Sequence, residues 1–279
     1  MSRILCANYF GEGTLGRTYR RLARVLAFTA TQHCPGWDVQ IHHLERVPAY
    51  TSALGNASHV YNAQNLAAWD AVIQQAREGD EVLFLDADTM IVNPLDPVWD
   101  APFDVAYTVR TKGAIPLNAG VVAVRVSDRT RRFCARWSAT CQHFLRHEAA
   151  HRPWRRKYKG INQSSLGALL EAHDHGCQIA PLTCLEWNCE NTEWASFDPR
   201  RTRIVHLKSG LRRAILGVMR PKPEMQPLVA IWRELDAAVG PDPTVAVPAP
   251  RTLPPSGPIR KVYVPAGGLR PAVRVVRIV

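Results

Sequence analysis

Short apolar runs alternate with amphipathic segments through the first ninety or so positions. "RILCANYF" (3–10) reads as a strand. A glycine-rich turn, Gly11 to Gly16, leads into a helical segment over 15–31, with Leu22, Val25, Leu26 and Thr29 on one face. "WDVQIHHL" (37–44) alternates as a strand does, and "NAQNLAAWDAVIQQARE" (62–78) predicts a helix stopped by Gly79. The apolar run Val82 to Leu85 then predicts a buried strand ending at Asp86. Strand and helix in this order predict parallel pairing with helices on both faces.

Beyond Pro94 the pattern is more mixed. Strands are expected at 103–109, 119–126 and 202–209. Helices are expected over 127–150, with Ser127 or Asp128 as its cap, and over 162–176 and 223–239. The expected fold class is α/β, with a Rossmann-like mixed, mainly parallel sheet flanked by helices. The pattern stops near Gly240. Residues 241–279 hold nine of the 21 prolines, six Lys or Arg and one acidic residue, Asp242. The division expected is a domain over 1–240 and a basic Pro-rich extension over 241–279. Residues 241–258 would be extended or disordered, and "PAVRVVRIV" would be a weak edge strand.

Composition narrows the setting. The chain carries 35 Lys+Arg against 24 Asp+Glu, a net +11, which favours phosphorylated metabolites, nucleic acid or an anionic membrane surface as partners. Seven cysteines without a Cys-x-x-Cys pair predict reduced thiols rather than a zinc site or disulfide frame. The first residues lack a signal-peptide apolar core, and no run approaches the roughly 18 apolar residues of a spanning helix, so a cytoplasmic protein is expected.

In "EVLFLDADTM", Asp86 and Asp88 bracket one alanine at the end of a buried strand. Two carboxylates that close stay ionised together only at a cost, which a divalent cation removes. Oxygen ligands suit Mn²⁺ or Mg²⁺, and such a metal can hold a diphosphate. The bland alternative is a pair of aspartates that end a strand and cap a turn.

The surrounding residues decide in favour of the metal. "VLFLDADTMIVNPL" resembles the Asp-x-Asp segment of nucleotide-sugar glycosyltransferases of the GT-A fold, and most closely the retaining group of glycogenin and the lipooligosaccharide galactosyltransferases. "PLNAGVVAV" (116–124) resembles that family's Asn-x-Gly strand, "INQSSLGALL" (161–170) its Asp-Gln segment, and "RIVHLKSG" (203–210) its late histidine strand. The four occur in family order over about residues 3–215.

The resemblance implies roles. Asp86, Asp88 and His206 would bind Mn²⁺ or Mg²⁺. Asn8 and Tyr9 would face the nucleobase of a nucleotide sugar, expected to be a UDP-sugar, with Asp86 near its ribose. Asn118 and Gly120 would contact the donor sugar, and Gln163 would lie near the reacting carbon. Two departures stand out. Asn162 replaces the family's aspartate beside the reacting carbon. The family's lysine-bearing motif after the histidine is replaced by "HLKSGLRRAI", so Lys208, Arg212 or Arg213 would clamp the diphosphate.

Two further stretches attract attention. "CLEWNCENTEW" (184–194) offers acidic and aromatic residues to sugar hydroxyls, or else buries its tryptophans under a loop. "HRPWRRKYKG" (151–160) interleaves Arg155, Arg156, Lys157 and Lys159 with Trp154 and Tyr158, a composition suited to nucleic acid. A polyanionic acceptor such as modified phage-type DNA is therefore the leading expectation. A glycan, lipid-linked saccharide or protein acceptor, and an inactive nucleic-acid-binding protein on the same fold, stand as alternatives. A nucleotidyltransferase is disfavoured, because no Gly-rich phosphate loop with trailing Arg and Lys follows the first strand.

Overall fold

A computed structural model describes residues 1–240 apart from 12, 48, 49 and 54, together with 275–278. In chain order the elements are β1 Arg3–Phe10, α1 Gly13–His33, β2 Asp38–Leu44, α2 Ala57–Gln75, β3 Glu81–Asp86, β4 Thr89–Ile91, β5 Val105–Val109 and β6 Leu117–Arg125. They continue with α3 Asp128–Arg146, α4 Glu148–Tyr158, α5 Ile161–Glu171, β7 Ile179–Thr183, α6 Cys184–Trp187, β8 Ile204–His206, α7 Ser209–Ile215, α8 Gln226–Val239 and β9 Val275–Ile278.

Seven strands form one sheet in the order β7-β5-β6-β3-β1-β2-β9. β1 pairs in parallel with β2 and β3, as the alternating pattern requires. β6 runs antiparallel to both β3 and β5, and β7 rejoins in parallel with β5. The short strands β4 and β8 form a separate antiparallel pair. β9 is the edge strand expected at the C-terminus, antiparallel to β2. The linker expected at 241–258 lies outside the described residues.

Strand periodicity sorts the core into two layers. Ile4, Cys6, Val82 and Phe84 face a cluster completed by α2, α3 and α5, with Trp69, Ile73, Phe133, Trp137 and Leu166. Leu5, Ala7, Leu83 and Leu85 face the other side, against Leu26 and Ala30 of α1. Each large apolar side chain fully buried this way contributes about 1.5–3 kcal/mol. A third cluster joins Leu22 and Val25 of α1 to Val205, Leu211, Leu228 and Trp232. It fastens β8, α7 and α8 to the first helix.

Several boundaries differ from expectation. α2 starts at Ala57, where the Asn56 side chain accepts the Ser58 N–H and caps the helix. The helix expected over 127–150 ends at Arg146, and the extended backbone of His147 (φ −123°, ψ 90°) separates it from α4. No local sequence signal marks that break, which lets α4 turn and pack on α5. Its N-terminal cap is as expected: Ser127 and Thr130 bond reciprocally as a capping box. β7 carried no clear strand pattern, being a half-exposed segment at the sheet margin.

Candidate functional site

Three elements bring the aspartates into place. β3 runs into the sheet at the level of β1, with Asp86 beside Asn8. The chain then turns, and the Thr89 hydroxyl donates to the Asp86 carbonyl at 2.8 Å. β4 follows and pairs with β8 so that Thr89 lies opposite His206. The Leu207 N–H donates to the Asp88 carbonyl at 2.7 Å, closing the arrangement. A histidine 118 positions later in the chain is thereby set against the pair.

His206 Nε2 lies 3.3 Å from Asp88 Oδ1 and 3.6 Å from Asp86 Oδ2. One ligand atom from each of the three residues falls within 4.8 Å of the others, the only such cluster of at least three among the described residues. Burial pushes the Asp86 carboxyl up to about 6, against the pull of His206. Burial pushes Asp88 the same way, but His206 and Arg212 outweigh it and hold the carboxyl below its ordinary range. Two neighbouring carboxylates with opposed proton affinities form a site where a cation would replace shared protons.

Gly120 shows that the space between these groups is kept open. It lies on β6, where a Cβ would sit 2.8 Å from Asp86 Oδ2, 2.9 Å from His206 Cε1 and 3.1 Å from Asn118 Oδ1. A side chain fits there only if those groups move apart. Asn118 accepts the Gly120 N–H through Oδ1 at 2.9 Å, while its buried Nδ2 has no hydrogen-bond partner. A buried donor of this kind at the cavity wall is available to an acceptor that enters the cavity. Two carboxylates and an imidazole, an excluded Cβ and an unspent amide together fit a divalent cation with a polar ligand beside it.

These groups line a cavity of about 470 Å³ at the carboxyl ends of β1 and β3, where ligands of open α/β sheets bind. Of the residues singled out from the sequence for metal, donor and catalysis, Asn8, Tyr9, Asp86, Asp88, Asn118, Gly120, Asn162, Gln163, His206, Lys208 and Arg212 meet there, whereas Arg213 does not line the cavity. Asn162 Oδ1 accepts the Gln163 N–H at 2.9 Å, and Gln163 Nε2 donates to the Tyr158 carbonyl at 2.8 Å. The second bond ties the start of α5 to the end of α4.

Sequence reasoning missed part of the wall. Tyr19 of α1 and Asn62 and Asn65 of α2 also line the cavity. The asparagines lie one turn apart on a mostly apolar helix, a signal that was legible. The Tyr19 hydroxyl accepts from Arg212 Nη1 at 2.7 Å, and the same nitrogen donates to Asp88 Oδ2 at 2.9 Å. Burial, with Asp88 adding to it, pushes the Tyr19 phenol up to about 12, so it stays protonated.

Of the two readings of "CLEWNCENTEW", the buried tryptophans hold and the sugar-binding loop does not. Trp187 and Trp194 are buried in the core, and none of the stretch lines the cavity. Its carboxylates are spent internally. Glu193 accepts from the Thr111 hydroxyl at 2.7 Å. Glu190, fully buried, accepts from Arg110 Nε at 2.8 Å and pairs with the Lys208 ammonium. Burial raises its carboxyl, but Lys208, Arg110 and Thr192 outweigh it and hold the group down at about 2. Glu190 thus positions Lys208 at the cavity rim. Its carboxylate contributes stability above about pH 4.5 and loses it as pH falls toward 2. Glu190→Gln, which takes the carboxylate from buried Arg110 and half-buried Lys208, is expected to lower stability by about 3 kcal/mol in urea unfolding at pH 7. A change under about 1 kcal/mol would show the pair to be solvated instead.

The basic stretch 151–160 is largely helix α4, and much of its charge is neutralised. Arg152 and Arg155 pair with Glu148, and Lys157 pairs with Glu171. Arg156 and Lys159 are exposed and keep no such partner among the described residues. No helix among the described residues is long and apolar enough to cross a membrane.

No protein-family model and no curated protein matches the chain. Solved structures do. A glycosyltransferase involved in glycosylation of the major capsid of PBCV-1 superposes with a TM-score of 0.55 at 16% identity, over 76% of this chain and 97% of that one. The galactosyltransferase LgtC, solved with donor and acceptor sugar analogs, gives 0.52 at 14%, over 88% and 98%. The glycosyltransferase GlyE of Streptococcus pneumoniae TIGR4 gives 0.52 at 13%, over 85% of this chain and 62% of that one. At such identities the likeness carries the fold, and the fold is GT-A, as the sequence motifs implied.

Proposed function

We propose that this chain is a metal-dependent glycosyltransferase that moves a sugar from a nucleotide-diphosphate sugar, a UDP-sugar in the first instance, to an acceptor with retention at the anomeric carbon. The observation that carries it is the Asp86–Asp88–His206 cluster on the wall of one cavity, with Gly120 held open beside it. Asp86, Asp88 and His206 would hold Mn²⁺ or Mg²⁺, which when bound offsets the charge that grows on the leaving diphosphate. Lys208, oriented by Glu190, and Arg212, oriented by Tyr19, would place cationic charge on the same diphosphate. Asn8 and Tyr9 would seat the base, Asn118 would spend its free Nδ2 on a sugar hydroxyl, and Gln163 with Asn162 would border the reacting carbon. The choice of UDP and of retention rests on the motif resemblance.

For the acceptor, the net +11 charge supports a polyanion such as modified DNA. The pairing of Arg152, Arg155 and Lys157 with glutamates favours instead a glycan, lipid-linked saccharide or protein acceptor, for which the free charge of Arg156 and Lys159 is incidental. An inactive nucleic-acid binder would have no use for a glycine that keeps a ligand cluster open.

A thermal-shift panel of sugar nucleotides with and without Mn²⁺ tests the reading. At about 100 times Kd a ligand stabilises the fold by about 2.7 kcal/mol. For a chain of this size that raises Tm by roughly 5–10 °C. One sugar nucleotide is expected to produce the shift only with Mn²⁺. Unchanged melting with every nucleotide tried would sink the proposal, and salt-sensitive DNA binding would then become the first assay.

A further inference from the structure

Behind the metal cluster lies a buried chain of hydrogen bonds that none of the roles above uses. His206 Nδ1 is 2.9 Å from Asn188 Oδ1. Asn188 Nδ2 donates to the Thr108 hydroxyl at 2.9 Å, and that hydroxyl donates to the Asn118 main-chain carbonyl at 2.7 Å. Thr108 and Asn188 are wholly buried, and Asn118 and His206 nearly so. β5 and β6 shift register between Tyr107 and Thr108, and the irregularity sets Thr108 opposite Asn118. Bulges re-aim side chains in this manner.

The direction of each bond follows from its last member. A main-chain carbonyl can only accept, so Thr108 must donate to Asn118. The threonine oxygen then has lone pairs to offer, and it takes the Asn188 amide N–H. Asn188 therefore turns its oxygen toward His206, and His206 must carry a proton on Nδ1. The other ring nitrogen, Nε2, is the one facing Asp86 and Asp88. Partners of this kind fix the tautomer and the ring plane of a metal-binding histidine.

We propose that Asn188 and Thr108 are positioning residues that keep Nδ1 of His206 protonated and present Nε2 to the cation, and that through the Asn118 carbonyl they couple the metal ligand to the strand that carries Asn118 and Gly120. The inference deepens the metal-dependent reading above and rests on it for its purpose, though the hydrogen-bond chain itself does not. Removing the threonine hydroxyl releases the Asn188 amide to turn over, and the imidazole loses its fixed acceptor. The expected loss in metal affinity is about 10–100-fold.

The test uses the full chain and Mn²⁺ alone, with wild type, Thr108→Val, Thr108→Ser and Asn188→Leu. Valine matches threonine in shape without the hydroxyl, and serine restores it. Mn²⁺ affinity is read by the loss of the free-ion paramagnetic resonance signal, and the His206 Nδ1–H by ¹⁵N-resolved imidazole spectra of metal-free protein. Wild type and Thr108→Ser are expected to show a slowly exchanging Nδ1–H and equal affinity. Thr108→Val is expected to lose about 10–100-fold in affinity with rapid exchange of that proton. The Asn188→Leu substitution should do the same, and if it does not fold, the Thr108 pair carries the test. A His206 without a proton on Nδ1 in wild type, or Thr108→Val with wild-type affinity and exchange, would overturn the proposal. Wild type that shows the protected Nδ1–H yet binds no Mn²⁺ would instead overturn the metal-dependent reading and leave the hydrogen-bond chain standing.

Discussion

Asp88→Ala is expected to lower sugar transfer by about 10²–10³-fold, the scale of losing one group that stabilises a developing oxyanion. The side chain holds two relations that alanine cannot. It lies 3.3 Å from His206 Nε2 through Oδ1 and accepts Arg212 Nη1 through Oδ2 at 2.9 Å. Its loss removes one proposed metal ligand and unties the arginine proposed for the diphosphate. The fold should survive. The bond that docks β8 onto this turn uses the Asp88 carbonyl, and the core around Ala87 and Met90 is untouched. Asp88→Asn keeps the volume but removes the negative charge, and should be nearly as poor. Initial rates of donor hydrolysis or transfer at saturating Mn²⁺, beside Tm, give the answer. An alanine enzyme working within about threefold of wild type, which is under 1 kcal/mol of barrier, would take this carboxylate out of the proposal.

Gly120→Ala is expected to be nearly as damaging, for a steric reason that separates site from fold. One methyl group at this position would stand 2.8 Å from Asp86 Oδ2 and 2.9 Å from His206 Cε1. Its backbone is ordinary strand within β6, outside the left-handed region that glycine alone enters freely, so alanine meets no conformational penalty. The collision is with side-chain ends that can move, at a typical overpacking cost of about 1–3 kcal/mol in stability. Moving them pulls apart the ligand atoms of the cluster. Mn²⁺ affinity and transfer rate should each fall by about 100-fold or more while the chain still unfolds cooperatively. Titration of Mn²⁺ into the purified variant measures the first directly. If Gly120→Ala bound Mn²⁺ as tightly as wild type, the cation would not sit between Asp86 and His206.

Both experiments concern residues singled out from the sequence, but only for the aspartates is the reason local. Asp86 and Asp88 end an apolar run, where a buried charge has no structural excuse. Gly120 was singled out by the likeness of its strand to a family motif, and the close approach it permits is seen only in the structure. Thr108 and Glu190 gave no such sign. A threonine in a strand is ordinary, and a glutamate in a loop looks like solvent-facing charge. Asn188 and Glu190 lie in a stretch that the sequence left open between sugar contact and core packing, because loop composition says nothing of which way a side chain points. The structure buries both, one behind His206 and the other between Arg110 and Lys208.

The alternation of apolar runs determined by itself that β1, β2 and β3 lie in parallel with helices on either face. Burying a strand on two sides and a helix on one leaves few other arrangements. The sequence likewise determined that a carboxylate pair ends β3. Tertiary structure alone decided that His206 stands 3.3 Å from Asp88, because β4–β8 pairing spans more than a hundred residues and hydrogen bonds between strands carry no record in local sequence. It alone decided that β6 enters antiparallel and lays Gly120 against that pair, and that a register shift in β5 aims Thr108 at Asn118. Local propensity fixes what each segment can become. Which segments meet is settled by the whole sheet closing over one core, and the site lies where they meet.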